Sequence, residues 1–320
     1  MKVLVTGSSG LVGSAFRKVV QEEGQGQGQA EEHTYIYLTS KDGDLRNEET
    51  VRALFETHRP DALIHLAANV GGLFKNMYKK AEMLEDNLLM NTYLLREARR
   101  FQVKKLIVIL STCIFPDKVE PLTEEKLHVG PPHPSNEGYA YAKRLMEVHA
   151  RILATEHQVE TIVLTPTNLY GPYDNFQLDD AHVLPALIHK CYLAKKNQEP
   201  FTICGSGRPL RQFLYSEDFA RIIWYMLHRP PAVSTSASYH HYICAPPSTQ
   251  EVSIEYVARR IAQEMEYEYA IFFDMKSADG QYRKKVEPHP VLQDRSYVSV
   301  EQGIHDTVQW FLQNWETLRK

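Results

Sequence analysis

The opening of the chain constrains its fold more than any other segment. Val3-Leu4-Val5-Thr6 is a short, mostly β-branched run, and Gly7-Ser8-Ser9-Gly10-Leu11-Val12-Gly13 follows it without a gap. Leu11, Ala15, Val19 and Val20 then recur at helical spacing, so the segment reads strand, tight turn, helix. A Gly-x-x-Gly-x-x-Gly turn placed there lets the backbone bend sharply and approach a pyrophosphate. Free N–H groups at the helix N-terminus then bind the phosphate charge. All seven residues, Gly7 to Gly13, are candidates for a dinucleotide phosphate site.

The alternation continues along the chain. Tyr35–Leu38, Asp61–Leu66, Lys105–Leu110 and Glu160–Leu164 read as strands; Glu48–His58, Met83–Phe101 and Gly138–His157 read as helices. Leu106-Ile107-Val108-Ile109-Leu110 is apolar throughout, as a strand covered on both faces requires. Repeated βαβ units predict an α/β fold, a Rossmann-type doubly wound parallel sheet. The polar, Gly-punctuated stretch Glu23–Glu32 reads as a surface loop. After Tyr170, Pro and Gly become frequent, and the helices His182–Asn197, Ser253–Met265 and Glu301–Leu318 are separated by irregular segments. This predicts a smaller C-terminal α/β lobe for substrate. Tyr215–Arg229 and Tyr239–Cys244 are expected to return to the first lobe. The expected division is 1–169, completed by about 212–246, for the cofactor, and 170–211 with 247–320 for the substrate.

Charge and cysteine content exclude several classes. Lys+Arg number 36 against 40 Asp+Glu, a formal net charge of −4, which argues against nucleic acid and anionic membranes as partners. No run of about 18 apolar residues exists to span a bilayer. The first apolar run is too short for a secretory signal, so a cytoplasmic location is expected. Cys113, Cys191, Cys204 and Cys244 form no Cys-x-x-Cys pair, which argues against a disulfide scaffold or a cysteine-rich zinc site. Asp179-Asp180-x-His182 and His240-His241 offer no convincing ligand set, so no metal is expected.

The end of the second strand should meet the adenosine ribose. It reads Thr39-Ser40-Lys41-Asp42; Lys41, with Ser40 and beside Asp42, could hold a 2′-phosphate, which favours NADP. Asp44-Leu45 is a weaker candidate for the adenine edge. Tyr139 and Lys143 stand at i and i+4, on one helix face. An ammonium there is expected to lower the tyrosine pKa and let the phenol exchange a proton. Tyr192 and Lys196 have the same spacing but lack the context and read as a decoy. The first pair follows the Gly-rich turn and Ser111-Thr112-Cys113, which closes an apolar strand. Cys113, two residues after Ser111, could point to the same side of that strand end. The other three cysteines read as inert.

These segments carry a resemblance. The first half is similar to extended short-chain dehydrogenases/reductases. Ser111 to Pro116, Tyr139 to Lys143, Pro166 to Pro172 and Asp174-Asn175-Phe176 resemble the GDP-L-fucose synthases, which are GDP-4-keto-6-deoxy-D-mannose 3,5-epimerase-4-reductases. His182 to Leu187, Arg211-Gln212-Phe213, Asp279-Gly280-Gln281 and Ala67-Ala68-Asn69-Val70-Gly71-Gly72 extend the match. The resemblance implies that Ser111 bonds the sugar C4 oxygen and Tyr139 protonates it while NADPH delivers hydride. It implies that Lys143 holds the nicotinamide ribose. Cys113 is the preferred base and His182 the preferred acid for epimerisation at C3 and C5. Ala67, Ala68, Asn168, Leu169 and His182 are implied as further cofactor contacts. Lys190, Arg211 and Asp279 are implied for the GDP-sugar. One position departs from the pattern: relatives often carry Trp before Gly-x-Gly, where this chain has Cys204. A homodimer seam is expected from Leu88, Leu95 and the Leu145–Val148 region. Two other readings remain: another nucleotide-sugar epimerase or dehydratase, disfavoured by Thr112-Cys113 where dehydratases carry Asp-Glu, and a non-catalytic NADP-binding scaffold, disfavoured by the intact catalytic set.

Overall fold

A computed structural model describes residues 1–24, 33–117, 119–228, 238–276, 282 and 286–318. Its first half runs β1 (Lys2–Thr6), α1 (Leu11–Gly24), β2 (Thr34–Tyr37), α2 (Glu48–His58), β3 (Ala62–His65), α3 (Leu73–Tyr78), α4 (Lys80–Arg100), β4 (Lys105–Ile109), α5 (Glu137–His157) and β5 (Glu160–Pro166). Then follow β6 (Asn168–Tyr170), α6 (Val183–Asn197), β7 (Phe201–Cys204), β8 (Leu210–Arg211), β9 (Phe213–Tyr215), α7 (Ser216–His228) and β10 (Tyr239–Cys244). β11 (Val252–Ser253), α8 (Ile254–Glu264), β12 (Ile271–Asp274) and α9 (Val300–Asn314) complete the order.

Six strands form one parallel sheet in the order β10-β5-β4-β3-β1-β2. Alternate residues enter separate cores, which explains the unbroken apolar strands. Leu63, Leu106, Val108 and Val163 pack with Val51, Phe55, Leu94 and Met146 from α2, α4 and α5. Ile64, Ile107, Ile109 and Ile162 pack with Phe16 and Val19 of α1 and Phe219 and Ile223 of α7 on the other face. The strand order reverses between β1 and β3, and a crevice opens at such a switch point beyond the C-terminal strand ends.

The second core gathers Leu184 and Ile188 of α6, Phe201 of β7, Val257 and Ile261 of α8, and Ile304, Val308 and Phe311 of α9. Among the described residues its strands pair in twos: β6 with β9, β7 with β12, β8 with β11. α7 packs on the large sheet through Phe219 and Ile223, and β10 pairs with β5 at its edge. The segment after β3 differs from expectation: α3 precedes the long helix, which itself begins at Lys80 rather than Met83. The last helix stops at Asn314 and turns. Residues 25–32 of the expected surface loop lie outside the described residues, as do Arg229 and Asp279. Among the described residues no helix is long and apolar enough to cross a membrane.

Candidate active site

A cavity of 1610 Å³ opens beyond the C-terminal ends of β1, β3 and β4 and is walled on its far side by α6 and β8. At its floor Gly7 adopts φ +67°, and a Cβ there would lie 2.7 Å from the Ala67 nitrogen. A Cβ on Gly13 would lie 2.4 Å from the Gly7 oxygen. These two glycines are demanded by the protein itself. Gly10 is not: a Cβ there would meet only the Gly7 oxygen, at 3.5 Å. Its open side faces the cavity, so the space is free for a close-lying phosphate. Leu11, Val12 and Gly13 also line the cavity, and first-turn N–H groups lack acceptors within their own helix. This cradle fits a dinucleotide pyrophosphate. Ser8 is different: it is buried, off the wall, and its hydroxyl donates to the Leu38 carbonyl at 2.9 Å.

At the adenosine end, Thr39 and Ser40 line the cavity, whereas Lys41 and Asp42 do not. The Asp42 carboxylate turns back to accept the Thr39 N–H at 2.7 Å and the Thr39 hydroxyl at 2.9 Å. These bonds hold its carboxyl below the usual range. A cation missed by sequence reasoning, Arg46, does reach the wall. It is clamped by Asp44 at 2.8 Å and by Asp86 at 3.0 Å, and Asp86 also accepts from the Asn69 amide at 2.9 Å.

The reacting end lies between β4 and α5. Ser111 leaves β4 in an extended conformation, and its hydroxyl oxygen accepts the Cys113 N–H at 3.4 Å. Cys113 stands in a 3-10 turn, Thr112–Ile114, not on a strand. The same-side argument from strand alternation therefore does not apply, and the turn itself brings the thiol to the wall. Tyr139 and Lys143 share the inner face of α5 as predicted, with the ammonium 5.8 Å from the ring centre. Lys143 is buried and donates to the Ile109 carbonyl at 2.9 Å. Burial pushes its pKa down to about 8, and the nearby Cys113 charge opposes that shift.

Tyr139 overturns an expectation. Burial drives its pKa up, and the Cys113 charge adds to the rise. Desolvation outweighs any help from the ammonium, so the phenol stays protonated, the state a proton donor needs. Beneath lies an unpredicted network. Buried His65 bonds Thr6 through Nδ1 at 2.9 Å and Asn91 through Nε2 at 3.0 Å, and burial lowers its pKa to about 3.

His182, the residue preceding α6 in the second lobe, lines the same cavity. The residue is exposed at the cavity wall, and desolvation by the protein around it lowers its pKa. Ala67, Ala68, Asn168 and Leu169 also line the wall; the Asn168 amide donates to the Gln212 carbonyl at 3.0 Å. Lys190 and Arg211 line the far end. The Lys190 ammonium lies 3.5 Å from Cys204 Sγ, and burial lowers the Arg211 pKa. Cys204 is thus exposed in the cavity, against the inert reading, while Cys191 and Cys244 are buried. The Tyr192 of the decoy pair packs its ring 4.2 Å from that of Trp315, away from the cavity. Asp174, quoted in the sequence without a role, lines the wall, and burial raises its carboxyl to about 7. Among the described residues no cluster of three or more His, Cys, Asp or Glu side chains could hold a metal.

The profile of the NAD dependent epimerase/dehydratase family matches residues 3–243. A GDP-L-fucose synthase of Dictyostelium discoideum is 43% identical over 322 residues, covering 99% of this chain and 97% of that protein. A probable GDP-L-fucose synthase of Drosophila melanogaster is 38% identical, covering 100% of this chain and 99% of that one. A solved GDP-L-fucose synthetase from Naegleria fowleri bound to NADP superposes with a TM-score of 0.89 at 41% identity, covering 100% of this chain and 96% of that one. With 75% or more of its length matched by the family profile and near-complete coverage by these relatives, the chain belongs to the NAD dependent epimerase/dehydratase family, among the GDP-L-fucose synthases.

Proposed function

We propose that this cavity converts GDP-4-keto-6-deoxy-D-mannose to GDP-L-fucose, by epimerisation at C3 and C5 followed by reduction at C4 with NADPH. One observation carries the reading. Cys113 lies close enough to Tyr139 and Lys143 for its charge to act on both, and Ser111 and His182 share the same cavity. A reductase alone has no need of the thiol and the imidazole.

The 4-ketone acidifies the hydrogens on C3 and C5. Cys113 removes each proton, and Ser111 and Tyr139 stabilise the enolate oxygen that forms. His182 returns a proton from the other face. Its lowered pKa makes the protonated imidazole a stronger acid, with a smaller protonated fraction at neutral pH. Bound NADPH supplies the hydride for C4. Tyr139, held protonated, gives the C4 oxygen its proton, and Lys143 holds the nicotinamide ribose. Gly7 to Gly13 carry the pyrophosphate, with Ser8 supporting the turn from behind. Ser40, on the wall, takes the 2′-phosphate; Lys41, off the wall on the same turn, reorients to reach it, and Asp42 shapes that turn. Residues 1–169 with 212–246 hold the cofactor. Residues 170–211 and 247–320 hold the GDP-sugar, through Lys190, Arg211 and Asp279.

The enzyme acts in the cytoplasm as a homodimer. Four free cysteines suit a reducing compartment. Leu89 of α4 and Tyr141, Leu145 and Ile152 of α5 are large exposed apolar side chains, and Leu145 is 50% exposed. Paired with a second copy, they build a four-helix seam. Leu95 is excluded from it, because it is fully buried in the sheet core.

Given NADPH and GDP-4-keto-6-deoxy-D-mannose, the protein should consume reduced nicotinamide and form GDP-L-fucose. In deuterated water, Cys113→Ser should lose label incorporation at C3 and C5 while still binding NADPH. An inactive wild type sinks the reading; normal exchange in Cys113→Ser removes the thiol from the mechanism.

A further inference from the structure

We propose that Lys75 and Asp180 form a latch across the cleft that positions His182 for proton transfer; this rests on the role given to His182 above. Lys75 belongs to α3, after β3 of the sheet. Asp180 stands two residues before His182, in the turn that leads into α6. The Lys75 ammonium lies 3.2 Å from the Asp180 carboxylate, and the two side chains are only 12% and 29% exposed. One residue pair thus joins the sheet-borne wall of the cavity to the strand-poor lobe that carries the imidazole.

The backbone reinforces the bridge at the same place. The Gly72 N–H donates to the Asp180 carbonyl at 2.8 Å. A Cβ on Gly72 would lie 2.3 Å from the Ala181 oxygen, so only glycine lets the two chains approach so closely. A Cβ on Gly71 would lie 2.4 Å from Cδ of Lys75. Gly71 therefore clears the path by which the lysine stem folds back over the turn. Asn76 fixes that turn by donating to the Gly71 carbonyl at 2.7 Å and the Gly72 carbonyl at 3.0 Å. On the opposite side, the Ala181 N–H donates to the Gln177 carbonyl at 2.7 Å. The only peptide link from this tied segment to His182 is the one after Ala181.

Among the described residues, His182 itself has little else to hold its place. Its carbonyl accepts the Ala186 N–H at 3.0 Å, but its side chain makes no capping bond to α6. The imidazole is therefore aimed by its backbone, and the latch holds that backbone. Misplacing an acid by about 1 Å can cost as much as a hundredfold in rate. The latch acts on epimerisation and leaves the NADPH cradle untouched, since neither Lys75 nor Asp180 lines the cavity.

Lys75→Met keeps the stem and deletes the charge; Asp180→Asn keeps the shape and deletes the counter-charge. Both should slow deuterium incorporation at C3 and C5 by about tenfold, through kcat rather than KM, with NADPH affinity and unfolding temperature near wild type. Lys75→Arg should restore exchange. The proposal is overturned if Lys75→Met exchanges at the wild-type rate beside an active wild type, or if Lys75→Arg loses as much as Lys75→Met. A wild type that incorporates no deuterium overturns the role of His182 and the latch with it.

Discussion

Lys143 trades stability for chemistry, and the trade has a computable size. Its pKa falls from 10.5 to about 8 on burial, and each pKa unit is worth about 1.4 kcal/mol. Keeping the ammonium charged inside the protein therefore costs about 3 kcal/mol below pH 8. The unfolded chain binds more protons than the folded one between the two pKa values, so stability rises with pH there. Above pH 10.5 both states are neutral and the cost is gone. Lys143→Met should remove it, while leaving the Ile109 carbonyl without its lysine donor at a loss of about 1 kcal/mol. Urea unfolding should then find the variant about 2 kcal/mol more stable than wild type at pH 7, and no more stable above pH 10.5. Catalysis should fall by about two to four orders of magnitude. A variant less stable at pH 7, or a difference that ignores pH, refutes the account of a strained ammonium.

The glycine turn gives a paired test. Gly7→Ala should destabilise the fold by about 2 kcal/mol or more, because both its left-handed φ and its contact with Ala67 exclude a Cβ; calorimetry reads this directly. Gly10→Ala should leave the melting temperature near wild type yet weaken NADPH about tenfold or more in a fluorescence titration, since its Cβ intrudes only on the ligand's side. Leu145→Asp should convert a dimer to a monomer in sedimentation, and a dimer that survives would place the seam elsewhere.

The sheet was readable because both of its faces are covered. Strands that feed two cores need no polar alternation, and Leu106 to Leu110 display that plainly. α3 was not readable: six residues make under two turns, too short for a 3.6-residue period to register. The paired strands of the second lobe are two to four residues long, for example β8 and β7, too short for an alternation such as that of Phe201 to Cys204 to stand out in the sequence. The Tyr139–Lys143 pair was legible from spacing and order, since the two need only a helix to align, whereas the roles of Ser111, Cys113 and His182 came from the family resemblance. The titration of Tyr139 and Lys143 was not legible, because burial depends on what packs around α5. Arg46 escaped for a similar reason: it is a surface-type residue drawn to the wall by two carboxylates, one of them 40 positions away. Leu95 was misread because α4 has apolar residues on more than its outer face.

The His65 network sets a boundary to proton traffic. Thr6 Oγ accepts the Leu66 and Ala67 N–H groups, each at 3.2 Å, so its own hydrogen points to His65 Nδ1. The Asn91 amide donates to the Ala142 carbonyl, so its oxygen receives the hydrogen on Nε2. Both ring nitrogens are spoken for, and a pKa of about 3 refuses a second proton. The imidazole beneath Lys143 is therefore an insulator. A proton released at the reacting end finds no acceptor on this imidazole, and the open cavity is its route to solvent.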